Sequence, residues 1–453
     1  MNKLQVGFSK INVTPPLGIG VAGYYVPRFA EGVLDELEVR CLAVNDDKKT
    51  VLLISVPSCG VGKKLSAEYS ALIQEATGVD ADNVFLSATH THTGGVITAN
   101  EAFETDETVV ASYRKFMGER IRDAAALAIA DLKPAKMGYI VGWAPERVAY
   151  IRRYKMKSGI TMTCPPINDP DIDYPIGELD QRVNVLRFDR EGEDSIVLVN
   201  YGLHADTING SMLSSDWPHF MYETLEKALD GVKCIFFNGA EGDVGSTNVH
   251  PEGGDMNDTE ISFDNEMKSY GMARFVGRAI AGTVLQVYDK VCYVDVDKVN
   301  IIKKDVAVDA NKATKEELVL AHEYKEYHES GHDEKIPYTA MELTTVVAEA
   351  LRMCRLENAP DQFMLPLTAV QIGDVALLGI PGEPFTEIGV KIKEAEGWKM
   401  IMPCCLTNGD EGYLPVQSAF GEGGYEARTT QYKAGVAEKI INGGKSLLDS
   451  LRK

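Results

Sequence analysis

Short apolar runs recur along the chain, and most are followed by a stretch with helical spacing. Residues 51–56, 84–86, 196–200, 234–237, 375–380 and 400–403 are the clearest runs. The first two are followed by apolar residues at helical intervals over about 67–76 and about 112–132. Further helices are expected from Pro218 to about residue 229, over about 268–288, after Pro384, and over about 432–451. Pro218 suits a first helical turn, where its missing N–H is not needed. The chain opens on a strand over residues 6–14 that stops at Pro15-Pro16. Such alternation predicts an α/β fold: a mixed β-sheet core with flanking helices and active-site loops at the strand C-terminal ends. Residues 314–353 are charged and helical, with Gly331 near the middle, and read as a solvated helical pair. The expected organisation is a single domain over 1–453.

The polar segments that follow the apolar runs carry the chemistry. Residues 87–95 contain His90 and His92; 200–206 contain His204; 238–243 contain Glu241 and Asp243; 381–385 contain Glu383; and 407–413 contain Tyr413. Ligands of α/β sheets bind outside the carboxyl ends of strands, so five such loops point to one shared site. The chain has only 8 histidines, and two stand at i and i+2. On a strand those positions share a face and direct both imidazoles into one pocket. His204 ends an apolar strand. Glu383 sits between Pro381 and Pro384, where a stiff backbone aims one carboxylate and a helix N-terminus also favours it. Tyr413 is a candidate ligand or hydrogen-bond donor. Asp216, before Trp217-Pro218, has the position of a helix N-cap. Asp243 belongs to a tight turn, where it could bond to backbone or orient a ligand. Arg152 and Arg153 could supply a cation to an oxyanion or form a surface pair.

Charge and composition narrow the function. A formal net charge of −21 argues against nucleic-acid binding and against docking on an anionic membrane. No run reaches the length of a transmembrane helix. The N-terminus has no apolar signal core, so a cytoplasmic location is expected unless a leader has been removed. The 8 cysteines include no CxxC pair; Cys41, Cys59, Cys234, Cys292 and Cys354 lie mostly in apolar runs, so reduced, buried thiols are expected rather than a cysteine zinc site. Three motifs are decoys. Gly18 to Gly23 spells GxGxxG but follows a proline pair and precedes no helix; Gly60-Val61-Gly62-Lys63-Lys64 lacks parts of a phosphate loop; His322-Glu323 lacks the second histidine of a zincin helix.

Taken together, these loops resemble the neutral/alkaline, non-lysosomal ceramidase family, zinc-dependent amidases that split the N-acyl bond of ceramide. The resemblance lies in Ser87 to Gly95 (SATHTHTGG), in Asn238 to Val244 (NGAEGDV), in Ser215-Asp216, in Pro381-Gly382-Glu383, and in the opening Asn12-Val13-Thr14 with Gly23-Tyr24. It extends from about residue 5 to residue 430, is strongest in the short loops, and implies one catalytic domain over 1–453 that departs from the family pattern in a helical insertion at about 310–360 and in an expected lack of the C-terminal immunoglobulin-like domain of secreted ceramidases. It implies Zn2+ held by His90, His204, Glu383 and Tyr413, with His92 as acid/base beside it. It also implies an arginine of the Arg152-Arg153 pair on the substrate or oxyanion, with Tyr425 as an alternative to Tyr413. Zinc would activate a water for attack on an amide carbonyl, and no serine nucleophile is needed. The expected substrate is a small-molecule or lipid-like N-acyl compound, ceramide or another; no nucleic acid partner and no integral membrane segment are expected.

Two other classes compete. A two-metal phosphoesterase would use His90, His92, His204, Asp216 and Asp243 and would need bridging carboxylates. A non-catalytic binding protein on the same fold would have lost turnover.

Overall fold

The computed structural model describes residues 4–98, 105–256 and 268–453. Two β-sheets stack face to face, with helices on both outer sides. The larger sheet has nine strands. Across it run Val232–Asn238, Ser195–Tyr201, Arg182–Arg190, Lys133–Trp143, Gln5–Asn12, Glu38–Asn45, Thr50–Val56 and Val84–Ala88, with Cys292–Val294 added beside Lys133–Trp143. The smaller sheet has four strands: Val299–Asp309, Gln362–Ile372, Val375–Gly379 and Met400–Cys404. The fold is α/β with mixed sheets, as the patterning predicts. That the core is split between two sheets is new.

The layers explain which strands the patterning reveals. Within the two sheets the parallel pairs are Thr50–Val56 with Val84–Ala88, Ser195–Tyr201 with Val232–Asn238, and Val375–Gly379 with Met400–Cys404. Their strands are covered on both faces and read as unbroken apolar runs. The antiparallel strands Lys133–Trp143 and Val299–Asp309 are only partly covered, carry charged residues, and give no such run. Between the sheets, Val6, Phe85, Leu198 and Phe237 meet Val370, Leu377 and Met402. Helices Lys63–Thr77 and Glu107–Ala130 cover one half of the larger sheet, and Trp217–Ala228 with Tyr270–Val287 cover the other. Thr386–Lys393 and Val436–Leu451 cover the smaller sheet.

Helix ends follow their caps. Asp106 accepts from the backbone N–H groups of Thr108 and Val109, which starts the second helix at Glu107, ahead of the periodic signal at 112. Helices Lys315–Glu329, opened by a Thr314/Glu317 capping box, and Ala340–Leu356 form the expected pair, separated at Gly331 by a left-handed turn (φ 73°). One thiol corrects the expectation: Cys292 lies on a strand with exposed positions and is itself exposed. No helix among the described residues is long and apolar enough to cross a membrane.

The segment after Met400–Cys404 stitches the two sheets together. Leu406 O accepts from Ala88 N at 3.1 Å, Asn408 N donates to Leu86 O at 2.8 Å, and Cys405 N donates to Asn238 O at 3.0 Å. The C-terminal ends of parallel strands from both sheets therefore meet at one place.

Candidate active site

His90 and His92 lie beyond the end of their strand. Val84–Ala88 stops two residues before His90, whose backbone is left-handed (φ 70°). This corrects the strand-face reading of the pair. A non-glycine residue in that conformation is held by its surroundings. Here His90 N donates to Ser58 O and His92 N to Ala205 O, each at 3.0 Å. The turn brings the two Nε2 atoms to 3.2 Å, with the rings edge-on. Convergence comes from a braced loop rather than from strand alternation.

Three loops complete a buried cluster. His90 Nε2 is 3.3 Å and His204 Nε2 is 3.2 Å from one oxygen of Glu383, and that Oε2 has no hydrogen-bond partner. His90 Nδ1 lies 2.6 Å from Cys59 O, and His204 Nδ1 lies 2.9 Å from Glu241 O and 3.0 Å from Val244 O. These Nδ1 contacts with carbonyls fix both rings so that their Nε2 atoms face the cluster centre. Ligand atoms of His90, His204, Glu241 and Glu383 all lie within 4.8 Å of one another. Two imidazole nitrogens and one orphaned carboxylate oxygen, buried together, match the N/O donor set of zinc. Glu241, fully buried, puts Oε2 2.9 Å from His204 Nδ1 and stands behind that histidine.

The charges of the cluster depend on one another. Burial disfavours a charged His90, but the Glu383 carboxylate, with Cys59, outweighs it and holds the His90 pKa well above the ordinary histidine value. Burial opposes ionisation of Glu383, yet the two histidines hold its pKa well below the usual carboxylate range. Burial, together with the neighbouring His90 and His204, pushes His92 well below its ordinary value despite Asp206. His92 is therefore a neutral imidazole at neutral pH.

Tyr413 pairs in register with Glu383 on a short parallel bridge. Burial and the Glu383 charge push its phenol well above the usual tyrosine value, so it is a neutral hydroxyl. The ring of Tyr425 packs edge-on against it at 5.6 Å. Arg152 reaches the cluster: Nη1 is 3.1 Å from His204 Nε2, Nε donates to Glu426 Oε1 at 2.7 Å, and Nη2 to Gly242 O at 2.9 Å. Arg153 turns the other way, donating to Glu422 Oε2 and Gly423 O at 3.1 and 2.9 Å, with its guanidinium 5.1 Å from the Phe385 ring centre. It anchors the segment that bears Tyr425 rather than facing the cluster.

Asp216 and Asp243 have other work. Asp216 caps its helix and accepts from Trp217 N, Thr207 N, Thr207 Oγ1 and Ile208 N at 2.6, 3.0, 2.5 and 3.1 Å. Asp243 accepts from Thr386 N and Oγ1 at 2.7 and 2.8 Å, tying its turn to the helix after Glu383. Neither bridges the cluster, which leaves the two-metal arrangement without its carboxylates.

Several contributors were not assigned a part from sequence. Asp206 Oδ1 is 3.6 Å from His92 Nδ1, a buried nitrogen with no hydrogen-bond partner. The carboxylate also accepts from Tyr24 OH at 2.5 Å and Lys268 Nζ at 2.8 Å. Burial opposes its ionisation, but Lys268 and His92 hold its pKa far below the usual range. The one signal for Asp206 was its place two residues after His204. The GxGxxG decoy has a different use: at Gly23 (φ 103°) a Cβ would meet the His92 ring at 2.6 Å, so glycine lets that loop abut the imidazole. His322, in the zincin decoy, is remote and bonds Glu357 Oε2 at 3.1 Å. The cluster opens on a cavity of about 370 Å³ lined by residues that include Tyr24, Cys59, His92, Asp410, Tyr413 and Tyr425.

No protein-family model and no curated protein matches the sequence. Solved structures do. The fold is similar to that of neutral ceramidase from Pseudomonas aeruginosa, with TM-score 0.75 and 17% identity over 100% of this chain and 75% of that one. It is also similar to a ceramidase complexed with C2, with TM-score 0.73 and 15% identity over 100% of this chain and 76% of that one. The chain thus has a neutral ceramidase-like fold, with a buried His/Glu cluster where its two sheets meet.

Proposed function

We propose that the protein is a zinc-dependent hydrolase of a linear amide, cleaving an N-acyl bond in the manner of a ceramidase. One observation carries the reading: the Nε2 atoms of His90 and His204 and an unpartnered Glu383 oxygen converge in a buried pocket. His90, His204 and Glu383 would hold the ion, with the Tyr413 hydroxyl beside them. When bound, zinc supplies Lewis acidity and lowers the pKa of water toward neutrality.

The remaining steps belong to side chains. Arg152, fixed by Glu426 and Gly242 O, presents a cation near His204, and Tyr413 presents a neutral hydroxyl. Both can stabilise negative charge developing on the substrate carbonyl oxygen. Water oxygen bonds to the acyl carbon and the C–N bond breaks. Neutral His92 takes a proton from the attacking water and returns it to the leaving nitrogen, giving a carboxylic acid and an amine. Asp206, 3.6 Å from His92 Nδ1, would favour the ring orientation and proton position electrostatically. Arg153 has no part in this scheme.

Metal analysis of purified protein should find close to one zinc per chain, and zinc-loaded protein should hydrolyse N-acyl amines but not phosphodiesters. If His90→Ala left both zinc content and activity intact, the proposal would be wrong.

A further inference from the structure

We infer that Cys59, His90 and His92 form a second metal site, which overlaps the zinc site at His90 and suits a soft ion such as Cu+ or Cd2+. One ligand atom from each of the three lies within 4.8 Å of the others. The donor set is one sulfur and two imidazole nitrogens, against two nitrogens and a carboxylate oxygen where His90 meets His204 and Glu383. Thiolate is the donor that soft ions select, and carboxylate suits hard ones. That zinc holds the other cluster rests on the amidase reading; the donor set of this one does not.

The histidine pair already has the spacing of a chelate. Two imidazole nitrogens on one tetrahedral ion, each about 2.0–2.1 Å from it, stand about 3.3 Å apart. The Nε2 atoms of His90 and His92 are 3.2 Å apart, with the rings edge-on. The thiol comes from a loop fixed to theirs through the backbone. Thr89 N donates to Val56 O at 2.9 Å and His90 N to Ser58 O at 3.0 Å, and His90 Nδ1 lies 2.6 Å from Cys59 O. Sγ is 3.7 Å from the same Nδ1, and a single torsion sets where it points. Cys59 is half-buried and lines the cavity with both histidines, so an ion has a path to all three.

Sharing His90 makes the two sites exclusive. Its Nδ1 is held against Cys59 O, so Nε2 is the nitrogen that either ion needs. When a soft ion binds, the thiol proton leaves to solvent and a sulfur–metal bond forms. The ion takes His90 away from zinc and covers the His92 nitrogen that faces the cluster. It is therefore an inhibitor that keeps the stoichiometry at one metal per chain.

Cadmium chloride titrated into chelator-treated protein tests this through the ultraviolet charge-transfer absorption of a thiolate–cadmium bond. Wild type should show a band, saturating near one cadmium per chain, that Cys59→Ser and Cys59→Ala lack; the difference removes the signal of the other cysteines. Losing the ligand should weaken cadmium binding by at least the roughly 10- to 100-fold that follows loss of a group hydrogen-bonded to a ligand. Glu383→Gln should keep the band, because that carboxylate belongs to the zinc cluster alone. In zinc-loaded protein, each cadmium that raises the band should release one zinc. Circular dichroism checks that every variant is folded. An identical spectrum in Cys59→Ser, loss of the band in Glu383→Gln, or a band that rises with no zinc released would overturn the inference. If zinc-loaded protein hydrolyses no N-acyl amine, it is the amidase reading that fails, and the cadmium titrations still decide the site.

Discussion

Zinc loading should stabilise the protein by an amount that can be worked out beforehand. The cluster forms only when four loops from both sheets are in place, so the ion binds the folded state and not the unfolded chain. Zinc at about 100 to 1,000 times its Kd then adds about 2.7–4.1 kcal/mol. For 453 residues, at roughly 2.1 cal/mol/K per residue, the unfolding entropy near 60 °C is about 950 cal/mol/K, so each kcal/mol moves Tm by about 1 °C. Chelator-treated protein at that excess of free zinc should therefore gain about 3–4 °C in a scanning calorimeter, and isothermal titration should show binding of close to one equivalent. His90→Ala, His204→Ala and Glu383→Gln should each abolish the gain. Asp243→Asn should keep it, because that carboxylate is engaged with Thr386. No shift with wild-type protein, a titrated stoichiometry of two, or an equal loss in Asp243→Asn would refute the assignment of the cluster.

Three further outcomes are expected. Asp206→Asn should lower kcat about 10- to 100-fold with little change in KM or zinc content, the range for a residue that orients a catalytic histidine; an unchanged kcat would remove Asp206 from the mechanism. Gly242→Ala should weaken zinc binding, because its Cβ would lie 2.5 Å from Glu383 O; retained affinity, read by competition with a chelating dye, would contradict this. Gly277→Ala, whose Cβ would meet Trp217 O at 2.4 Å where two helices cross, should destabilise the fold by about 1–3 kcal/mol in urea unfolding while leaving zinc stoichiometry unchanged.

Legibility in the sequence followed burial. Strands such as Ser195–Tyr201 and Val375–Gly379, covered on both faces, stand out as apolar runs, and the loops after them could be collected as one site. Lys133–Trp143 and Val299–Asp309 are partly solvated, so their charged positions hide them, and with them the split into two sheets. His90, His92, His204, Glu383 and Tyr413 were visible because rare or aimed side chains ended visible strands. Asp206 was not singled out and Glu241 was named but given no role, since acidic residues are common in this chain and nothing local distinguishes a buried carboxylate from a solvated one.

The sequence by itself determined the α/β class, the loops that carry chemistry and the residue types that could hold zinc, since each follows from periodicity and side-chain chemistry within a few neighbouring residues. The tertiary structure decided which of those residues meet. The left-handed turn at His90 replaced strand alternation as the cause of convergence, and backbone contacts aimed Arg152 at the cluster and Arg153 away from it. It also drew Asp206 and Lys268 behind His92 from opposite ends of a 62-residue separation. Such choices depend on distances between segments far apart in the chain, and no local pattern encodes them.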